Sequence, residues 1–260
     1  MAKIGICGDI HGRQFWKVFR DCVDDFEKIV ILGDYVSPYS LEGITNEEAI
    51  DVLKEIVQFK KDNPDKVILL FGNHDGSLLN TDICQCRTDH KNWKWLNEFY
   101  INNIELFDLA WETKINGKRY FFSHSGVRKG WFDKWVRNSW FKWDGEDLPA
   151  TDKFNDAFHK AYGEKSDYAF REKIEKSLGV YSKYRGWGGE NDGSIVWADI
   201  REYFNGNDFE NDYSNVVFIC GHTQLTDEPI IKEYVADLDC RKPFVLDTET
   251  GTITEYIVKY

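Results

Sequence analysis

Six residues with metal-binding side chains, Asp9, His11, Asp34, Asn73, His124 and His222, each stand just past a short apolar run. The runs and their ends read AKIGIC-GDIHG, KIVIL-GDYV, KVILLF-GNHD, RYFF-SHSG and NVVFI-CGHT. Carboxylate, imidazole and amide oxygen together suit borderline-hard divalent ions better than ions that seek thiolate. Each run breaks at Gly or Ser beside the polar residue, as buried parallel strands do, and in open α/β sheets ligands gather at the carboxyl ends of such strands. Five strands would deliver oxygen and nitrogen ligands to one sheet edge. That is the pattern of a metal site.

The elements that must position these residues follow from periodicity. After GDIHG, Phe15, Phe19, Cys22, Val23 and Phe26 fall on one face at helical spacing. After GDYV, the polar loop SPYSLEG leads to Thr45-x-x-Glu48, a capping box opening a second helix with the stripe Ile50, Leu53, Ile56, Val57. Strand, helix, strand, helix, strand over the first 75 residues predicts right-handed βαβ crossovers and a parallel sheet. From about 116 onward strands come with turns, ending in a hairpin around Glu249–Gly251. A mixed α/β sandwich of two sheets is expected. The aromatic and charged stretch from about 130 to 190 reads mainly as helix, an insertion or cap within one domain spanning 1–260. Its tryptophans are expected to pack a core rather than stack on bases.

Net charge is −12, which argues against an extended nucleic-acid surface or an anionic membrane as partner. A phosphorylated substrate is still compatible, because bound cations dominate the local field. No apolar run approaches the ~20 residues of a membrane span, and the chain opens directly on its first strand, so neither a span nor a leader is expected. Six scattered cysteines fit free thiols in a reducing, cytoplasmic setting better than a disulfide framework. Cys84-x-Cys86 with His90 has no second pair at zinc-finger spacing, so no structural zinc is expected there.

Taken together, the five motifs resemble those of the calcineurin-like metallophosphoesterase family, which run GDxHG, GDxx, GNH(D/E), a His strand and GH. The resemblance covers about 1–75, 115–128 and 215–258, and lies nearest the protein Ser/Thr phosphatase and symmetrical diadenosine tetraphosphatase branch. It implies a four-layer αββα sandwich: two mixed β-sheets, flanking helices and the helical insertion. It also implies two divalent metal ions, with manganese preferred and iron, zinc or magnesium possible. By that resemblance Asp9 and His11 bind the first ion, Asp34 bridges, and Asn73, His124 and His222 complete the second. A hydroxide shared by the ions would attack phosphorus in line, and His74 would protonate the leaving oxygen.

The sequence departs from the phosphatase branch where GDxVDRG supplies a carboxylate and a phosphate-binding Arg. Ser37 and Pro38 stand there. Asp75 is the substitute expected to support His74. For the arginine the candidates are Arg13, Arg128, Arg185 and Arg201, with Arg201 and Arg13 ranked first. The implied activity is a phosphomonoesterase acting on a phosphoprotein or small phosphate ester. Its rivals are a dinucleoside polyphosphate or phosphodiester hydrolase and, from another class, a catalytically weak metal-binding scaffold.

Overall fold

A computed structural model of the chain describes residues 2–163, 166–185, 192–205, 208–209 and 212–257. Its strands are β1 (Lys3–Cys7), β2 (Lys28–Ile31), β3 (Val67–Leu70), β4 (Phe107–Asp108), β5 (Ala110–Ile115), β6 (Lys118–Ser123), β7 (Phe204–Asn205), β8 (Asp208–Phe209), β9 (Val216–Cys220), β10 (Ile230–Ile231), β11 (Val235–Asp237), β12 (Pro243–Asp247) and β13 (Ile253–Glu255). The helices are α1 (Lys17–Arg20), α2 (Asn46–Asp62), α3 (Asn73–Leu79), α4 (Trp93–Asn102), α5 (Lys129–Trp131), α6 (Thr151–Tyr162) and α7 (Tyr168–Leu178).

One sheet runs β13-β12-β1-β2-β3-β4 and the other β10-β11-β9-β6-β5, while β7 and β8 pair apart. The strands from β1 to β4 are parallel, β12 joins β1 antiparallel, and β6 and β11 both pair parallel with β9. Both sheets are therefore mixed. Alternation along each strand divides the core in two. Ile4, Ile6, Val30 and Leu32 of the first sheet meet Phe122, Val217 and Ile219 of the second. Cys7, Ile31 and Leu69 turn the other way, into a cluster with Leu53 and Ile56 of α2, while Phe121 and Phe218 face Phe154 of α6. Strands covered on both faces read as continuous apolar runs, which is why their ends stand out. The αββα layering matches the expectation.

Local signals act as their chemistry dictates. Thr45 Oγ1 accepts from Glu48 N (3.1 Å) and the Glu48 carboxylate accepts from Thr45 N (2.7 Å), closing the box that starts α2. Asn116 and Gly117, at φ 50° and 80°, form the tight turn between β5 and β6. The final hairpin of β12 and β13 forms as expected.

The helix expected over residues 15–26 is a correction. Only the four residues of α1 are α-helical, followed by a 3₁₀ turn at Val23–Asp25. Cys22 leaves the helical region (φ −138°, ψ 36°), which turns Phe26 back against Phe19, ring centroids 4.9 Å apart. The chain must reverse there to enter β2 beside β1, and that overrides the helical period. In the insertion, Trp131, Phe132, Trp140 and Phe154 are buried together, and the indoles of Trp131 and Trp140 donate to Ser177 O (2.9 Å) and Oγ (2.8 Å). These rings are core. Residues 164–165 and 186–191 of the insertion lie outside the described residues.

Candidate metal centre and active site

Each of the six residues sits one to four positions beyond a strand, where the backbone has just turned. His11, Asp34 and His222 hold φ of 45°, 53° and 69°. Non-glycine residues in this left-handed region are costly and persist where the surroundings fix them. Here the fixing groups are visible. The first loop lies on the second through His11 N donating to Asp34 O (2.7 Å) and Gly12 N to Tyr35 O (3.0 Å). Asp34 Oδ1 accepts from His74 N (2.8 Å), and Asp9 Oδ1 accepts from His222 N (2.9 Å). The approach is so close that a Cβ on Gly72 would lie 2.2 Å from Asp34 Oδ1, and one on Gly221 2.4 Å from Asp9 Oδ1.

Asp75 is the hub of this packing. Oδ2 accepts from Asp34 N and Gly72 N (both 2.8 Å), and Oδ1 from Tyr35 N (3.1 Å) and the Tyr100 hydroxyl (2.6 Å). Burial pushes its carboxyl up, and these donors pull it back. The expected role beside His74 is corrected: all four of these donors belong to other residues. Asp75 instead clamps the loop after β2 to the loop after β3.

Asp9, His11, Asp34, Asn73 and His222 line one cavity of about 240 Å³ together with Tyr39, His74, Cys86, Arg87, Arg185 and Trp197, and fully buried His124 reaches Asn73 and His222 from behind its wall. Their donor set fits divalent cations. His124 Nδ1 faces the Leu32 carbonyl (2.9 Å) and His11 Nδ1 the Val36 carbonyl (2.8 Å), so the protons lie there and each Nε2 presents a lone pair inward. Asn73 Nδ2 donates to Cys84 Sγ (3.5 Å), which aims Oδ1 into the cavity. His124 Nε2, Asn73 Oδ1 and His222 Nδ1 then stand 2.9–3.1 Å from one another. Two ligands at right angles on an ion ~2.1 Å away are also about 3 Å apart. Asp34 Oδ2 lies 3.5 Å from His124 Nε2 and 3.6 Å from His11 Nε2, between the two groups, and Asp9 Oδ2 lies 3.8 Å from His11 Nε2.

Electrostatics point the same way. Burial, then neighbouring carboxylates such as Asp239 beside Asp9 and Asp75 beside Asp34, holds both acids well above the usual range. Burial likewise keeps His11, His74 and His222 well below theirs, with nearby cations and histidines adding to it. His74 Nε2 accepts from Arg87 (2.8 Å), whose guanidinium also lies 3.3 Å from His11 Nε2 and 3.5 Å over the Tyr39 ring centroid.

The arginines sort differently from expectation. Arg13 forks onto Glu42 (2.7 and 2.8 Å) and donates to Asp9 O (3.1 Å), bracing the first loop from behind. Arg201, 55% exposed, forks onto Asp199 (2.8 and 2.9 Å) and covers Tyr184. Arg128 pairs with Asp212 (3.3 Å) and stacks on Tyr203. None of these three lines the cavity. Arg185 does, held 3.0 Å from Asp199 and donating to His222 O (3.3 Å) and Thr223 Oγ1 (3.2 Å). Arg87 is the residue the motifs missed. It lies in a loop of no recognisable pattern, and its only signal was a position 13 residues past His74. Cys86, preceding it, has its thiol lowered to about 6 by the neighbouring Cys84 thiol, which the same contact and burial push up. No metal-ligating group among the described residues includes Cys84, Cys86 and His90.

A family model for calcineurin-like phosphoesterases matches residues 2–226. The chain belongs to that family. It is similar in fold to a protein serine/threonine phosphatase from Saccharomyces cerevisiae with similarity to human phosphatase PP5, at 16% identity and TM-score 0.50, covering 100% of this chain and 81% of that one. An archaeal phosphodiesterase aligns at 17% identity and TM-score 0.36 over 98% of this chain and 99% of that one, too loosely to carry an argument. The protein is thus a phosphoester hydrolase of a family built around metal, acting on phosphorylated substrates. No helix among the described residues is long and apolar enough to cross a membrane.

Proposed function

We propose that the protein is a dinuclear metal-dependent phosphomonoesterase. Asp9 and His11 would hold one ion, Asn73, His124 and His222 the other, with Asp34 shared. Manganese is the first choice, and iron, zinc or magnesium are accepted by the same donors. One observation carries the reading: three atoms able to ligate a cation, brought from the ends of separate strands, meet within 2.9–3.1 Å, with Asp34 between them and His11. When bound, the ions supply Lewis acidity and make water a stronger nucleophile at neutral pH.

The remaining steps belong to the chain. Arg87 and Arg185 supply donors for the terminal phosphate oxygens, and a planar guanidinium suits that task. A monoester offers three such oxygens, a diester two. The cavity of about 240 Å³ admits a phosphoryl group with a small part of its ester and leaves the rest outside. His74 Nε2 now accepts from Arg87, so His74 becomes a proton donor only once phosphate draws Arg87 away and brings negative charge beside the ring. Buried free thiols at Cys7, Cys84, Cys220 and Cys240 fit a reducing cytoplasm.

The test is hydrolysis of p-nitrophenyl phosphate by manganese-loaded protein, abolished in Asp34→Asn. Equal turnover by wild type and variant would end the reading. Faster release from bis-p-nitrophenyl phosphate or diadenosine tetraphosphate would transfer the assignment to the diester or dinucleoside polyphosphate class.

A further inference from the structure

Outside the chemistry assigned above, one nucleophilic pair touches the metal centre. Cys84 is fully buried, and its Sγ accepts from Asn73 Nδ2 (3.5 Å), the contact that aims the amide oxygen inward. Cys86, half-buried, lines the cavity and can meet a small solute there. The two residues are folded against each other: Cys86 N donates to Cys84 Sγ (3.4 Å), and Cys84 Sγ reaches back to Cys86 O (3.9 Å). The loop that carries them is pinned at both ends. The Trp197 indole donates to Ile83 O (2.7 Å) before the pair, and Arg87 directly after it is held in the left-handed region (φ 50°) against His74. The other cysteines are placed differently: Cys7 and Cys220 lie within strands, and Cys22 faces Tyr256.

We propose that Cys84 and Cys86 form a peroxide-responsive thiol pair that switches the metal centre by closing a reversible disulfide. The cavity-facing Cys86 sulfur attacks a peroxide oxygen: an S–O bond forms, the O–O bond breaks, and the leaving hydroxide takes up a proton as water. Cys84 sulfur then attacks Cys86 sulfur. The S–S bond forms, the S–O bond breaks, and the second hydroxide leaves with the Cys84 proton as water. Two thiols lose two electrons and the peroxide gains them. A dithiol reductant reverses the exchange.

The consequence follows from the contacts. A disulfide brings the sulfurs to about 2 Å, which turns Cys84 away from Asn73 Nδ2 and drags the residue before Arg87. Asn73 loses the partner that orients its oxygen, and Arg87 loses its place against His74 and Tyr39. Removing such supporting partners typically costs about 10–100-fold in metal affinity or activity. That consequence for catalysis rests on the phosphoesterase reading. The bond itself and its effect on metal affinity do not.

The experiment uses full-length, manganese-loaded protein treated with equimolar hydrogen peroxide, quenched with an alkylating agent and mapped by mass spectrometry. Expected is a species lighter by two hydrogens, with Cys84 and Cys86 alone protected and both recovered by dithiothreitol. Cys84→Ser should instead leave Cys86 as a dimedone-reactive sulfenic acid. Manganese affinity, read by calorimetry, should fall about tenfold or more on oxidation, recover on reduction, and stay unmoved by peroxide in Cys86→Ser. Alkylation of both thiols after peroxide, or a bond between other cysteines, would overturn the proposal. So would a bond that leaves manganese affinity unchanged, or a peroxide-induced loss that persists in Cys86→Ser. Failure to hydrolyse any phosphoester would count against the enzymatic reading and leave these readouts intact.

Discussion

Replacing Gly72 with alanine perturbs the site without substituting a candidate ligand. Gly72 has φ −100° and ψ 176°, extended backbone that alanine adopts freely, so the effect comes from space. The added Cβ would lie 2.2 Å from Asp34 Oδ1, 2.7 Å from Asp34 N and 2.9 Å from Asp34 Cγ. Ordinary contact is about 3.5 Å, so the carboxylate must move by roughly an ångström. It would also lose its bond from His74 N (2.8 Å). Overpacking of this kind costs about 1–3 kcal/mol of stability, a fall in Tm of about 2–4 °C per kcal/mol. The informative control is Gly117→Ala, at φ 80° with nothing within 4 Å of the new Cβ. It carries a left-handed backbone penalty of about 1–2 kcal/mol far from the cavity. Both variants should therefore melt earlier by similar amounts. Only Gly72→Ala should weaken manganese binding, by about tenfold or more, as read by calorimetry on folded protein. If Gly72→Ala binds manganese as tightly as Gly117→Ala and wild type, Asp34 is not the shared ligand, and the geometric reasoning is refuted.

Three further outcomes are expected. His74→Ala should slow hydrolysis of esters with poor leaving groups by about 10²–10⁴-fold while nearly sparing p-nitrophenyl phosphate. An even loss across both would remove His74 from proton donation. Metal binding should release protons and weaken as pH falls. Burial raises Asp9 and Asp34 in the metal-free protein, and they must give up their protons to bind. Binding heats independent of the buffer's ionisation enthalpy would contradict this. Tyr100→Phe removes the 2.6 Å donation to Asp75 and should cost about 1.5–3 kcal/mol in denaturant unfolding. A loss below ~0.5 kcal/mol would show that Asp75 does not depend on it.

Much of the candidate site is legible in the amino-acid order, for a physical reason. A strand buried on both faces must be apolar throughout, so its end is marked by the first polar residue, and a glycine there permits the turn. Asp9, Asp34, Asn73, His124 and His222 announce themselves in this way, and the capping box at Thr45 and Glu48 does the same for α2. Residues whose place depends on long-range packing carry no such mark. The helical period from Phe15 to Phe26 loses to the need to reverse the chain into β2.

What the order of residues determined by itself is the inventory of candidate metal ligands, the two-sheet layering and the elements that carry both. What tertiary structure alone decided is the use of the charged groups around them. Arg13 and Arg201 are neutralised by Glu42 and Asp199, Arg87 arrives from an unpatterned loop, and Asp75 turns its oxygens to backbone amides instead of to His74. Hydrogen bonds and ion pairs are settled by distances of about 3 Å, and spacing along a chain does not encode distances across a fold.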